Sequence, residues 1–328
     1  MDFDFGQIGT PFRMRPGLSR LPSDTRHLTP LRPGSALHAE KAALLQRWGS
    51  RCLSVPGFDA SDVLHAVRRH AEACGVPAVD AMTLPPELLV EEDLAVLDTA
   101  TARVPWMCVC IPTRWAPEDK IGLALPEVHQ PVADSAALAA ALPHVVRMLS
   151  QGGHWERFVW TLTAAPTYDQ HPLRQPATPW PETTDPQQLA QQCFLRVERQ
   201  TFLPLADGPG PAGAHTLFTI RVQLAPLVQA VRSPEQAQRL HQALGSMTPA
   251  VLEYKNLGAV RERLLRWLAG RSSAPWPRPP CPETAHRHCE RSRCCSTWMT
   301  KRKPRCAWPR RRTSRPRVSN ATGFPTES

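Results

Sequence analysis

Two strand-like segments with arginines in their interiors constrain this chain most. In Phe194-Leu195-Arg196-Val197-Glu198-Arg199-Gln200-Thr201-Phe202-Leu203, Leu195, Val197 and Thr201 alternate with other residues, which is the period of a strand. The run nevertheless contains two arginines, a glutamate and a glutamine. Thr216-Leu217-Phe218-Thr219-Ile220-Arg221-Val222-Gln223-Leu224 is also strand-like and carries a third arginine. Asp207-Gly208-Pro209-Gly210-Pro211-Ala212-Gly213, between them, reads as a loop, so the pair is expected to form a long-looped antiparallel hairpin. An ion in a low-dielectric interior is costly unless it is paired. These guanidinium groups therefore close an internal Arg–Glu network, face solvent, or meet a carboxylate or phosphate. Period two puts Arg196 and Arg199 on opposite faces, so at most one of them shares a face with Arg221. Glu198 shares a face with Arg196 and is placed to neutralise it.

Helices are expected on both sides of the hairpin. Residues 1–35 carry five prolines and read as an extended arm on the surface. Residues 36–48 and 59–75 read as helices, the second with Val63, Leu64, Val67 and Ala71 on one face and Gly75 as its stop. Pro85-Pro86 opens a third, running through Leu94 to Leu97. Residues 104–111 and 156–163 read as strands, 117–125 as a short helix, and 134–149 as a helix bent at Pro143. Residues 166–186 form a long loop. Ser233-Pro234-Glu235-Gln236 is a capping box, and two more helices follow over 249–255 and 260–268, closed by Gly270. This order implies an α+β fold with an antiparallel sheet flanked by helices.

The net charge of +10 is unevenly placed. Residues 271–328 hold 14 Lys and Arg against 3 Asp and Glu, while the remaining 270 hold 25 against 26. The body therefore offers no electrostatic footprint for nucleic acid or an anionic membrane. The basic segment has no Leu or Ile, and Val318 is its only valine, so it is expected to be disordered. A reading-frame slip in a GC-rich gene accounts for its Arg, Pro, Cys and Trp better than a polyanion-binding arm does. It also does so better than a zinc site on Cys281, His286, His288, Cys289, Cys294, Cys295 and Cys306, which lack paired C-x2-C spacing. The three expected regions are thus 1–35, 36–270 and 271–328.

Five cysteines in the body, mostly within apolar runs, argue for reduced core thiols. Met1-Asp2-Phe3-Asp4-Phe5 lacks the pattern of a secretory signal, and no apolar run approaches the ~18 residues of a membrane span. A cytoplasmic protein is expected. Gly208 to Gly213 spells G-x-G-x-x-G, but its two prolines lack the N–H donors that would cradle phosphate, and a strand follows rather than a helix.

Several motifs together resemble a known family. They are Trp115 with Glu118-Asp119-Lys120-Ile121-Gly122, then Val128-His129-Gln130-Pro131-Val132, Leu195 to Thr201, and Phe218-Thr219-Ile220-Arg221. With Tyr254-Lys255 and Trp267-Leu268 they resemble, in order, the alpha subunit of heme-dependent oxidative N-demethylase. Where many members of that family have Arg-x-Asn-Trp, this chain has Arg157-Phe158-Val159-Trp160.

The resemblance implies a PAS-like sheet that holds heme b. It implies an oxygenase that uses O2 to hydroxylate the methyl group of a small secondary amine such as dimethylamine, whose product collapses to amine and formaldehyde. The chain shows neither a nucleotide motif nor cluster-type cysteine spacing. Electrons from NADPH would therefore arrive through separate flavin or iron–sulfur reductase subunits. A PAS-like heme sensor or ligand-binding module without catalysis is the alternative.

His129, on a segment stiffened by Pro131, is the expected axial ligand, with His154 next. Arg196, Arg199, Arg221 and Lys120 are the candidates for the heme propionates. Cys108 and Cys110 read as core thiols. Trp106, Trp115, Trp155, Phe158 and Trp160 read as core aromatics or as the wall of an apolar pocket. No catalytic residue can be named from the sequence.

Overall fold

The computed structural model describes residues 1–273 apart from Asp2, Ser23, Pro131, Asp134 and 206–214. The Gly-Pro loop and the basic segment beyond 273 lie outside the described residues. In chain order the elements begin with β1 (Ser19–Leu21), α1 (Ala36–Trp48), β2 (Cys52–Ser54) and α2 (Ser61–Ala73). They continue with α3 (Ala78–Thr83), α4 (Pro86–Leu89), β3 (Asp93–Asp98), β4 (Arg103–Cys108), α5 (Leu125–His129) and α6 (Ser135–Ser150). Next come β5 (His154–Thr163), α7 (Pro186–Gln191), β6 (Phe194–Pro204), β7 (His215–Pro226) and α8 (Leu227–Ala230). The last are α9 (Pro234–Gly245), α10 (Pro249–Tyr254) and α11 (Arg261–Ser273). The fold is α+β: one seven-stranded sheet in the order β1-β5-β6-β7-β3-β4-β2, every neighbouring pair antiparallel.

The hairpin is the centre of this sheet. Strands β6 and β7 pair from Phe194↔Pro226 to Pro204↔Thr216, and β7 then pairs with β3. Directly opposed residues share a face, so the register divides the sheet cleanly. One face carries Leu195, Val197 and Leu203 of β6, Leu217 of β7, Leu94 and Val96 of β3, and Trp106 of β4, all buried. It packs against α7, α9 and α11 toward one end and against α2 and α3 toward the other. The other face carries Arg196, Glu198, Gln200 and Phe202 of β6, Phe218 and Ile220 of β7, Ala95 of β3 and Met107 of β4. Helices α5 and α6 and the loops around 113 and 170 enclose this second face.

Local chemistry accounts for the elements. Ser35 caps α1 by accepting from the His38 N–H, and Ser233 caps α9 by accepting from Gln236. Gly75, at φ +105°, follows α2, where a left-handed backbone excludes most other residues. Pro143 sits inside α6 as expected.

The structure corrects four expectations, one of them the short helix over residues 117–125, where a single 3-10 turn spans Pro117–Asp119 and α5 starts only at Leu125. Residues 94–97 are not helix: α4 stops at Leu89, and Asp93–Asp98 is a strand between β7 and β4. A short apolar run buried on both faces lacks the alternation that separates strand from helix. Residues 1–35 are more than a surface arm, since Phe3, Phe5 and Ile8 enter the core and β1 pairs with β5. Finally, α11 runs through Gly270 to Ser273.

Charge is also buried beside the sheet. Lys41 of α1 is fully buried, donates to the carbonyls of Val90, Glu91 and Glu92 at 3.1 Å each, and lies 3.6 Å from Asp93. Asp93 in turn accepts from the Cys110 and Ile111 N–H groups at 3.0 and 2.9 Å. Glu92 accepts from the Thr29 N–H, and its other oxygen is buried without a partner. Burial pushes the Glu92 carboxyl up to about 7.

A pKa above the ordinary value of 4.5 means that the folded chain holds this proton more tightly than the unfolded one. Stability from this site is complete below pH 4.5 and is lost as pH rises through about 7. His27 acts in the opposite sense. Burial and the adjacent His154 pull it down to about 4, so it costs stability as pH falls from 6.5 toward that value. Glu92→Gln is expected to recover up to about 3 kcal/mol above neutral pH and to flatten the decline there, as read from urea denaturation across pH. An unchanged pH profile would show that Glu92 is not the titrating group.

Candidate functional site

The second face of the sheet does not pack solid. It encloses a cavity of about 800 Å³ whose wall includes Ala95, Met107, Val109, Val128, Leu142, Leu149, Phe202 and Phe218. That size lies in the upper part of the roughly 300–1,000 Å³ typical of ligand and cofactor sites. His129, Lys120, Arg157, Arg196, Glu198 and Lys255 also line it.

His129 is the last residue of α5. Its Nδ1 lies 2.8 Å from the Leu125 carbonyl oxygen. A carbonyl only accepts, so Nδ1 carries the proton and Nε2 is left with its lone pair. Burial lowers the His129 pKa, with Arg157 and Lys120 adding to the effect against the Leu125 hydrogen bond. The ring is therefore neutral at ordinary pH, the form that ligates a metal. Lys120 donates to the Val128 carbonyl at 3.2 Å, which ties it to the same helix.

The five residues expected at the site have different placements. His129, Lys120 and Arg196 come together on the cavity. Arg196 is 1% exposed and its nitrogens are already occupied. Its Nε donates to Thr113 Oγ1 at 2.7 Å, and its terminal nitrogens donate to the Tyr168 and Ile111 carbonyls at 2.8 Å each. The Thr113 hydroxyl in turn donates to Glu198, whose other oxygen accepts from Gln200 at 2.7 Å. Arg199 and Arg221 are cross-strand partners on the opposite face of the sheet. They pair with Glu156 at 2.9 Å and Glu91 at 2.7 Å respectively.

The other candidates resolve as clearly. His154 shares a 2.8 Å hydrogen bond with His27 beside β1. Cys108 and Cys110 are buried thiols whose pKa values are raised, Cys108 chiefly by Cys52 and Cys110 chiefly by burial. Trp115 lines the cavity, whereas Trp106, Phe158 and Trp160 pack on the far face, Trp160 also bordering the cavity. Trp155 packs with Leu97 and Phe202.

The most exceptional cation in the cavity is Arg157, which stands opposite Gln200 in the β5–β6 register. Its Nε is buried without a hydrogen-bond partner, and among the described residues no carboxylate pairs with it. Arg157 is half-buried. Burial lowers its pKa, with Glu198 and Tyr254 opposing. Lys255 follows α10, donates to the Trp160 carbonyl at 2.8 Å, and is lowered by burial to about 8. Val159 makes the wall apolar at that point.

Residues 77–265 match the family described as "haem-dependent oxidative N-demethylase, alpha subunit-like". The chain belongs to that family. The match spans more than half of the sequence and covers β3 to β7 and every residue just described on the cavity. The family is named as an alpha subunit, which is consistent with partner subunits.

The residues fit the cofactor that the family name implies. An apolar wall suits a macrocycle, a neutral imidazole offers Nε2, and a half-buried guanidinium with no paired carboxylate among the described residues offers the charge that a propionate needs. Arg157 was visible in the sequence as a charge inside a strand, but only the β5–β6 register assigns it to the cavity face.

Arg196 and Arg157 should respond oppositely to replacement by Met. Arg196→Met leaves the Ile111 and Tyr168 carbonyls without their donor and should cost about 3 kcal/mol or more in chemical denaturation. Arg157→Met removes a desolvated charge with no partner, so the ligand-free protein should be no less stable.

Proposed function

We propose that the cavity binds heme b through His129 Nε2 and that the chain is the oxygenase component of an N-demethylating system. The observation that carries this reading is the His129 ring, with Nδ1 committed to Leu125 and Nε2 left on an 800 Å³ apolar cavity beside the unpaired Arg157. Arg157 and Lys120 would hold the propionates. Arg196 would act indirectly, by fixing the loops around Thr113 and Tyr168. The family resemblance further supports a PAS-like description of the sheet.

Heme so held would supply the activation of O2 with two electrons. The rest falls to the protein. The apolar wall excludes water and suits the methyl groups of a small secondary amine such as dimethylamine. Glu198 gives the cavity a carboxylate that attracts an ammonium. Lys255, lowered by burial to about 8, can accept a proton from that ammonium once pH rises through that value. In balance, the N-methyl carbon and O2 with two electrons and two protons give the demethylated amine, formaldehyde and water. The electrons are assigned to NADPH through flavin or iron–sulfur reductase subunits.

Purified protein reconstituted with hemin is expected to show a Soret band at one heme per chain. His129→Ala should lose most of the heme while its circular dichroism is unchanged. Undiminished heme stoichiometry and an unaltered ferric spectrum in that variant would refute the ligand assignment.

Arg157→Met should weaken heme affinity by about tenfold, the worth of one charge-assisted contact. Arg199→Met and Arg221→Met should leave it unchanged. Equal affinity in all three would remove Arg157 from the site.

Dimethylamine should yield formaldehyde only when an electron-donating partner is added. No formaldehyde from fully heme-loaded protein with any electron source would favour the sensor alternative.

A further inference from the structure

Behind the cavity, on the packed face of the sheet, three side chains converge that the heme site does not use. Cys52 begins β2, Cys108 ends β4, and the antiparallel register sets them directly opposite each other. Glu87 stands in α4, 1% exposed. The two sulfurs and a carboxylate oxygen of Glu87 all lie within 4.8 Å of one another. Glu87 Oε1 accepts from Ser50 Oγ at 2.8 Å and the Arg51 N–H at 2.6 Å, with Cys52 Sγ at 3.7 Å. Oε2 is buried and meets no donor. Among the described residues no basic side chain forms an ion pair with Glu87. A buried carboxylate with an open oxygen and no counter-charge is costly, and two thiols beside it offer the rest of a ligand set.

We propose that Cys52, Cys108 and Glu87 form a binding site for one thiophilic divalent cation of the zinc class, with the fourth position open to solvent. Zinc binds thiolate sulfur at about 2.3 Å and carboxylate oxygen at about 2.0–2.2 Å, so tetrahedral ligand atoms stand roughly 3.5–3.8 Å apart. Small side-chain adjustments from the present cluster reach that spacing. Calcium and magnesium prefer all-oxygen sites. Both thiols enter protonated, so binding releases two protons and involves no oxidation. Cys52 is only half-buried at the sheet edge, which gives the cation a way in and the fourth position its water. A Cys52–Cys108 disulfide would suit the register, but it would leave Glu87 Oε2 as bare as before and would need an oxidant. Bound metal would pin the edge strand β2 to β4 and α4.

The full chain, reduced, equilibrated with Zn²⁺ and passed through a desalting column, should retain one zinc, measured separately from iron. X-ray absorption at the zinc edge should show two sulfur neighbours. Cys52→Ser, at a half-buried edge position, and Glu87→Gln should each lower zinc affinity by about tenfold or more with circular dichroism unchanged, while Cys193→Ser should not. No retained zinc in the reduced protein, zinc without sulfur neighbours, or wild-type affinity in both ligand variants would overturn the proposal. Isolation of a Cys52–Cys108 disulfide in a chain that binds no zinc after reduction would replace it with a redox pair.

Discussion

Arg196 is the fully buried charge on which the geometry of the cavity depends. A guanidinium is tolerated inside a strand because it meets a hydroxyl and two carbonyls at once, and those acceptors belong to two loops distant in sequence. One of these loops is also gripped from the other side. Asp93 accepts from the N–H of Ile111 while Arg196 donates to the Ile111 carbonyl. Lys41 completes the series by binding Asp93 and the chain just before it. The walls around Thr113 and Tyr168 are thus held by charges acting on backbone dipoles, which rigidify without filling space. That leaves room for a hollow.

Arg196 and Arg157 lie on one face of adjacent strands yet have different environments. The first is satisfied by the protein and belongs to the scaffold. The second retains a buried nitrogen without a partner, which is tolerable where an anion is expected. Satisfaction, more than residue type or burial, separates the framework of this cavity from its ligand-facing groups.

Much of the architecture was legible in the sequence. Alternation and the flanking turn residues located β5, β6 and β7, and Ser233 marked a helix start that the structure reproduces. The helix expected through Leu97 failed because β3 is buried on both faces and shows no alternation. Three-residue strands such as β1 and β2 carry too little pattern to be seen. Period two correctly separated Arg196 from Arg199, but it could not say which face was hollow. That depends on β5–β6 register and on the loops that close over it, both set by contacts between residues far apart in the chain. The same ignorance hid Arg157 and Lys255 and gave Arg199 and Arg221 a role for which their ion pairs leave them poorly placed.

The two ends of the sheet carry a consequence for assembly. Its longest strands, β6 and β7, lie inside, while β1 and β2 form the edges with three residues each. So short an edge exposes few free N–H and C=O groups to a strand from another molecule. Extension of the sheet across a subunit boundary through β1 or β2 is therefore disfavoured, and a partner subunit meeting those edges would dock through side chains. Such an interface can be lost and re-formed without disturbing a single backbone ladder.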